Sequence, residues 1–264
     1  MILVVDALNK HRFVSVLDDM FKLRARVFQD RMGWDVTVRN DREIDTFDEL
    51  DPAYIICLDE EYEVVGCARL LQTTGPHMLS DVFYEILDGE PPLRSATIWE
   101  STRFCVDRDR LGKGTGRNSV SNASCELMIG IIEYAIESGI SDVITVMDPV
   151  MDRIMKRSGN APYGYVGKTV EMGKVKALAA LGDCTQERIN NVREVAGIKG
   201  NIFLTETEVL EGRAPADVAS LSDDLRSYCD DQILTATSQH ERAAAMALQQ
   251  ALTGMLRSRR NCDA

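Results

Sequence analysis

Residues 98–117 decide the architecture: Ile98-Trp99-Glu100-Ser101-Thr102-Arg103-Phe104-Cys105-Val106, then, after four residues, Leu111-Gly112-Lys113-Gly114-Thr115-Gly116-Arg117. They read as a strand over Ala96–Val106 leading into a glycine-rich turn. A helix follows over Ser119–Ser138, with Leu127, Ile131 and Tyr134 on one stripe and Gly139 as its stop. Downstream, Asp142–Met147 reads as a strand, Pro149–Arg157 as a short basic helix, Tyr163–Met172 as a strand and Glu187–Val195 as a helix. Upstream, an amphipathic helix over Lys10–Phe28 carries Phe13, Leu17, Met20, Phe21 and Phe28 at helical spacing. Ala53–Leu58 and Glu63–Leu71 read as a hairpin across Asp59-Glu60-Glu61, and Met78–Leu87 as a short helix. The polar segment Gln29–Pro52 has the length of a functional lid. This order predicts an α/β layer with a mixed or mostly antiparallel sheet.

Composition narrows the class. The chain has 264 residues, enough for one large domain or a domain plus an appendage. We expect a main domain over 1–200 and a helical extension over 201–264, with helices at Asp217–Tyr228 and Ser238–Arg257. A net charge of −12 argues against a general nucleic-acid binder. No run approaches the ~20 apolar residues that span a bilayer, and the start MILVVDALNKHRF is too short in apolar residues for a signal peptide. The seven cysteines include no C-x-x-C pair; Cys57, Cys67, Cys105 and Cys125 read as small buried hydrophobes of a reducing compartment, so a cytoplasmic protein is expected. His11, His77 and His240 lie in polar or turn-like contexts, and neither a histidine triad nor a metal site is expected.

Charges stand where apolar residues belong. Arg24 falls on the buried helical stripe, Arg69 on the face shared by Val65, Cys67 and Leu71, and Glu100 and Arg103 interrupt the central strand. Buried charges cost several kcal/mol each unless paired. Their expected partners are one another and Asp45 and Asp48 of the lid. Any one alone reads as a structural ion pair or a snorkelling arginine; together they point to a polar site. Strict alternation puts Glu100 and Arg103 on opposite faces, so a bulge near Ser101–Thr102 is expected to bring them together.

Arg24, Phe28, Trp34, Asp45, Asp48, Arg69, Glu100 and Arg103, in this order and spacing, resemble the signature of the acyl-homoserine-lactone synthases, the autoinducer synthases of quorum sensing. The stretch Ile98–Phe104 is especially similar, and the resemblance covers roughly residues 1–200. It implies an acetyltransferase-like (GNAT-like) three-layer α/β/α fold with a mixed, mostly antiparallel sheet, the C-terminal helical extension lying outside it. It also implies an acyltransferase whose substrates are S-adenosylmethionine and an acyl thioester on acyl carrier protein or coenzyme A. No cofactor, nucleic acid or membrane enters that reaction. The expected catalytic residues are Glu100, Asp45 and Arg103, with Glu100 as base. Arg24, Phe28, Trp34, Asp45, Asp48, Arg69, Arg103 and Phe104 are the expected S-adenosylmethionine contacts, the aromatic rings facing sulfonium or adenine and Arg24 or Arg103 the carboxylate.

An acyl tunnel is expected among Met78, Leu79, Val82, Phe83, Val143, Thr145, Met147, Met151 and Ile154. Thr145, Met147 and Met151 are the leading candidates, and Thr145 stands where family members often sense the third acyl carbon. Arg108 and Arg110 precede Gly112, Gly114 and Gly116 at an offset unlike the superfamily's pyrophosphate loop, so phosphate contact and a plain basic turn both stay open. Lys113, Arg117, Arg153, Lys156, Arg157, Lys168, Lys174 and Lys176 offer a basic face for an acidic carrier protein. The rival readings are another acyl-thioester-dependent N-acyltransferase and a non-catalytic ligand-binding protein.

Overall fold

A computed structural model describes residues 1–111, 118–172 and 175–213, without the side chains of 118–121, and beyond these only Ile233, Arg242 and Met246. The glycine-rich turn at 112–117, with Lys113 and Arg117, lies outside the described residues, as do Lys174 and the helices expected after 213. Met1–Gly212 form one compact unit and Arg213–Ala264 another. Residues just past 200 join the first unit, because the Ile2 amide donates to Ile202 and the Leu204 amide to Ile2.

The elements run β1 (Ile2–Val5), α1 (Val14–Arg24), β2 (Val38–Arg39), β3 (Arg42–Glu43), β4 (Ala53–Leu58), β5 (Val64–Gln72), α2 (Met78–Asp81), β6 (Ile98–Val106), α3 (Arg108–Leu111), α4 (Asn118–Glu137), β7 (Asp142–Met147), α5 (Pro149–Arg157), β8 (Gly164–Met172), β9 (Val175–Asp183), α6 (Gln186–Ala196) and α7 (Glu206–Gly212). Seven strands form one sheet in the order β1-β4-β5-β6-β7-β9-β8. Every neighbouring pair is antiparallel except β6 and β7. The fold is the expected three-layer α/β/α arrangement with a mixed, mostly antiparallel sheet.

Both faces of the central strands are covered, which explains their unbroken apolar runs. Ala53, Ile55 and Cys57 pack with Leu127, Ile131 and Ile189 of α4 and α6. Tyr54, Ile56 and Leu58 turn the other way, onto Phe13, Val16, Met20 and Leu23 of the first helical segment. That segment is not one helix over Lys10–Phe28. It is a short 3-10 turn, α1, and a π-helical turn over Ala25–Arg31 that mounts Phe28. The expected helix at Met78–Leu87 is likewise split, into α2 and a 3-10 turn at Tyr84–Leu87.

Four strands escaped the sequence reading: the two-residue β2 and β3, and β1 and β9 of the main sheet. β1 is only four residues long. β9 is alanine-rich, a composition of high helix and low strand propensity, yet it is sandwiched between β7 and β8 and its Ala179 and Ala180 are buried.

Two irregularities shape the middle of the sheet. β6 pairs with β7 only as far as Ser101–Thr145, although β6 continues to Val106, so the parallel strands part and leave a notch. At the same level Cys67 faces Cys105 while Arg69 faces Thr102, so Arg103 and Phe104 together oppose Ala68. Arg103 sits at φ 53°, in the left-handed region. The bulge thus falls at Arg103–Phe104, just past its expected place. A bulge absorbs one residue of the alternation, and Glu100 and Arg103 now both reach Met78.

Gly167 lies at a further register shift, between Val166 and Val170 of β8. It adopts φ 62°, and a Cβ there would overlap the Ile86 carbonyl. Gly167→Ala is expected to destabilise the protein by about 3 kcal/mol, from left-handed strain and overpacking together. Urea unfolding checks this, and a change within about 0.5 kcal/mol would contradict the contact.

Candidate active site

The lid is built to present carboxylates. Asn40 and Asp41, both at positive φ, turn β2 into β3 and deliver Glu43. Asp45 then caps a 3-10 turn over Thr46–Glu49: its Oδ1 accepts from the Phe47 amide at 2.9 Å, and Asp48 Oδ2 accepts from the Asp45 amide at 2.9 Å. This reciprocal capping sets the two aspartates side by side. Phe47 packs with Leu71 and Met78 and pins the turn to the sheet.

Three arginines from three elements meet these carboxylates. Arg24 of α1 donates to Glu43 Oε2 at 2.5 Å and grips both Asp48 oxygens at 2.8 and 2.9 Å. Arg69 of β5 takes both Asp45 oxygens at 2.5 and 3.0 Å, Asp48 Oδ1 at 2.8 Å and Thr102 Oγ1 at 3.0 Å. Arg103 of β6 donates to Glu43 Oε1 at 2.9 Å and Asp45 Oδ2 at 2.7 Å. Tyr54 adds its hydroxyl to Asp48 Oδ1 at 2.8 Å. Arg24, Arg69 and Glu43 are fully buried. Burial alone would raise the Asp48 carboxyl, but Arg24 and Arg69 hold it well below the usual range. The lattice is formally neutral, with each bidentate grip of the strong, charge-assisted kind.

Glu43 was missed by the sequence reading. A signal existed: three arginines inside apolar elements set against two aspartates leave one positive charge uncompensated. The reading had counted Glu100 among the arginines' partners. Glu100 instead accepts from the Met78 and Leu79 amides, at 2.6 and 2.7 Å. It is fully buried, and desolvation pushes its carboxyl up to about 7 although both amides and Arg69 favour the charged form; Asp81 opposes them.

At the lattice rim Phe28 and Trp34 stack, with ring centroids 5.1 Å apart and planes 19° from parallel. Trp34 is 37% exposed and offers an aromatic face to solvent. Arg103 stands 5.6 Å from the Phe28 centroid. Among the described residues its Nη1 contacts only the Met78 sulfur, at 3.5 Å. Thioether sulfur is a weak acceptor, so this donor is the best placed of the lattice to take a substrate carboxylate. Arg24, expected as an alternative, has its donors committed to Glu43 and Asp48.

Of the remaining expected residues, Met78 and Leu79 border Glu100, while several others lie across the sheet. Phe104 packs with the core on the α4 side of the sheet, away from the lattice. Val143, Met151 and Ile154 pack in that same core, and alternation along β7 puts Thr145 and Met147 on that face too. Leu79 and Phe83 lie on the opposite side with Ile144 and Val146. The expected tunnel residues are therefore split across the sheet, and Ile144, which pairs with Glu100, was passed over. Thr145 sits on the last rung before the notch. A cleft of about 540 Å³, lined in part by Ser80, Tyr84, Leu87, Lys168 and Val170, opens beside β8 and is not lined by Glu100.

The sequence profile of the autoinducer synthases matches residues 8–192, a span that holds the whole lattice, Glu100 and the stacked rings. The chain belongs to the autoinducer synthase family. It is 38% identical over 176 residues to a probable acyl-homoserine-lactone synthase of Sinorhizobium fredii, covering 66% of this chain and 84% of that protein. It is 37% identical over 167 residues to an acyl-homoserine-lactone synthase of Pseudomonas aeruginosa, covering 62% and 81%. Among solved structures it is similar to the synthase LasI, with TM-score 0.64, 28% identity and coverage of 76% of this chain and 98% of that one. It is also similar to the CoA-dependent synthase BjaI, solved with SAM and isopentyl-CoA, with TM-score 0.68, 25% identity and coverage of 80% and 98%. The autoinducer synthase match ends at 192, before the residues that tie the chain past 200 to β1.

Two measurements follow from the lattice and from Glu100 beside it. Asp48→Ala leaves Arg24 and Arg69 short of a buried partner and is expected to cost about 3 kcal/mol in urea unfolding, whereas exposed Asp30→Ala should stay within about 0.5 kcal/mol. Glu100 gives a pH signature. Its folded pKa lies above the ~4.3 of an unfolded glutamate, so between about pH 4.5 and 7 only the folded state keeps the proton and stability falls as pH rises. Glu100→Gln is expected to abolish that fall, worth about 3 kcal/mol, when unfolding at pH 5 and pH 8 is compared.

Proposed function

We infer that the chain is an acyl-homoserine-lactone synthase, an acyltransferase that makes an N-acyl-homoserine lactone from S-adenosylmethionine and an acyl thioester. The observation that carries this reading is one constellation: a neutral arginine–carboxylate lattice, an exposed aromatic face and a buried carboxyl pushed up to about 7, all beside the notch between β6 and β7. S-adenosylmethionine brings a carboxylate, an ammonium and a sulfonium, and that constellation meets each. Arg103 Nη1 takes the carboxylate. Asp45, whose side chain is the most exposed of the three lattice acids, takes the ammonium. The Phe28–Trp34 stack faces the sulfonium or adenine.

Glu100, directly or through one water, accepts the ammonium's proton, and the freed α-amine attacks the thioester carbonyl. Backbone N–H groups at the Arg103–Phe104 bulge face the developing oxyanion. The tetrahedral adduct collapses and releases the carrier thiol. The methionyl carboxylate then closes on its own γ-carbon, and the C–S electron pair leaves with 5′-methylthioadenosine. That closure needs chiefly proximity, since nucleophile and electrophile share one molecule. Both organic molecules are substrates, and the chemistry calls for no resident cofactor.

The thioester carrier is acyl carrier protein or coenzyme A. Arg153 and Arg157 are exposed on α5, while Lys156 is held by Asp152 at 2.8 Å, so the two arginines lead the basic face toward an acidic carrier protein. These substrates and the buried free thiols fit a cytoplasmic protein. Among the described residues no helix is long and apolar enough to cross a membrane.

Mass spectrometry of organic extracts from cells expressing the chain should reveal an acyl-homoserine lactone that falls at least about 100-fold with Glu100→Ala. Lactone unchanged by that substitution would exclude Glu100 as base, and acylation of another amine would favour the rival N-acyltransferase. Arg157→Glu should slow the acyl-carrier-protein reaction about 10-fold and the coenzyme A reaction less than about 2-fold. Equal effects would rule out carrier docking at α5.

A further inference from the structure

His77 is fully buried, in the turn Gly75-Pro76-His77 that enters α2. Its Nδ1 lies 3.0 Å from the Gly75 carbonyl oxygen and 3.2 Å from Ser80 Oγ. A carbonyl only accepts, so Nδ1 carries the hydrogen. Ser80 Oγ can accept that same hydrogen while its own proton goes to Asp81 Oδ1 at 2.8 Å. Nε2 is then a bare acceptor, and it is buried without a partner among the described residues. An orphaned buried acceptor costs free energy and calls for a reason.

The reason lies one residue away. The amides of Met78 and Leu79, directly after His77, are the two donors that hold Glu100. The imidazole reaches back to Gly75 and forward to Ser80, bracketing those two amides. We propose that His77 is a positioning residue, whose Nδ1–H braces the turn so that the Met78 and Leu79 amides stay aimed at Glu100. This rests on Glu100 being the base of the proposed reaction, but the bracing itself is a property of the folded chain.

The charged groups facing this region include Arg103 of β6, whose Nη1 contacts the Met78 sulfur at 3.5 Å. Arg69 of β5 favours the charged form of Glu100 and Asp81 of α2 opposes it. Arg94 Nη1 donates to the Gly75 carbonyl at 2.9 Å and to the Thr74 carbonyl at 3.2 Å, sharing the oxygen that His77 uses. None of these changes when His77 is replaced by a neutral amide. Asparagine can place an N–H where Nδ1–H stands; glutamine reaches instead to the position of Nε2. Loss of the brace loosens two hydrogen bonds that favour the charged carboxylate, so the carboxyl moves further up.

The test is carboxyl ¹³C NMR titration of Glu100 in the full chain, assigned by Glu100→Gln, with the pH profile of methylthioadenosine release alongside. His77→Gln is expected to raise the Glu100 midpoint by at least about half a pH unit. The acid limb of kcat should move equally, with KM for S-adenosylmethionine changed less than about 2-fold. His77→Asn should match the unmodified protein in both. An unmoved midpoint in His77→Gln, or equal shifts in both variants, overturns the proposal. Should His77→Gln fail to fold, Ser80→Ala removes one acceptor of the same hydrogen and is expected to shift the midpoint the same way by less; no shift there overturns it. Absence of methylthioadenosine release by the unmodified protein would count against the proposed function, while the NMR midpoints would still decide the role of His77.

Discussion

Three arginines set into apolar surfaces cannot remain there unpaired, and the rest of the structure follows from that constraint. Arg24 comes from the first helix, Arg69 and Arg103 from adjacent strands, and all three of their carboxylate partners from the six-residue stretch 43–48. A polar segment with few apolar residues of its own is thereby folded onto the sheet. Desolvation is offset only because nearly every donor of the two deepest guanidinium groups finds an oxygen. The same contacts leave Asp45, Arg103 and Trp34 at the rim, where a small molecule carrying both charges can meet them.

One environment does opposite things to two acids. Asp48 and Glu100 are both buried beside Arg69, yet Asp48 is held low and Glu100 is raised to about 7. The difference is the partner: a bidentate guanidinium for Asp48, two neutral amides for Glu100. Environments that push neighbouring carboxyl groups apart in this way divide labour between a fixed charge and a proton acceptor. With Glu100 as the proposed base, the placement of the Met78 and Leu79 amides matters to chemistry as much as to the local fold.

The sequence carried much of this. Arg24 on a helical stripe and Arg69 among strand hydrophobes are anomalies that periodicity exposes directly, and both proved fully buried. The need for a bulge followed from Glu100 and Arg103 standing three apart on one strand, though its position was displaced to Arg103–Phe104. Glu43 was illegible because it sits in a charged run where an acid is unremarkable; only charge balance singles it out. β9 was hidden by its alanines, whose burial comes from neighbours on both sides rather than from their own preference. The expected acyl residues fall on both sides of the sheet because alternation divides β7 between two faces, and a list drawn from apolar character alone cannot tell Ile144 from Thr145.

The central claim is that this site couples acyl transfer to breakage of S-adenosylmethionine. Purified protein mixed with S-adenosylmethionine and a panel of acyl thioesters, with free thiol, methylthioadenosine and lactone quantified together, tests it most directly. The account predicts the three products in equal amounts with the preferred donor. Thiol released without methylthioadenosine would contradict it.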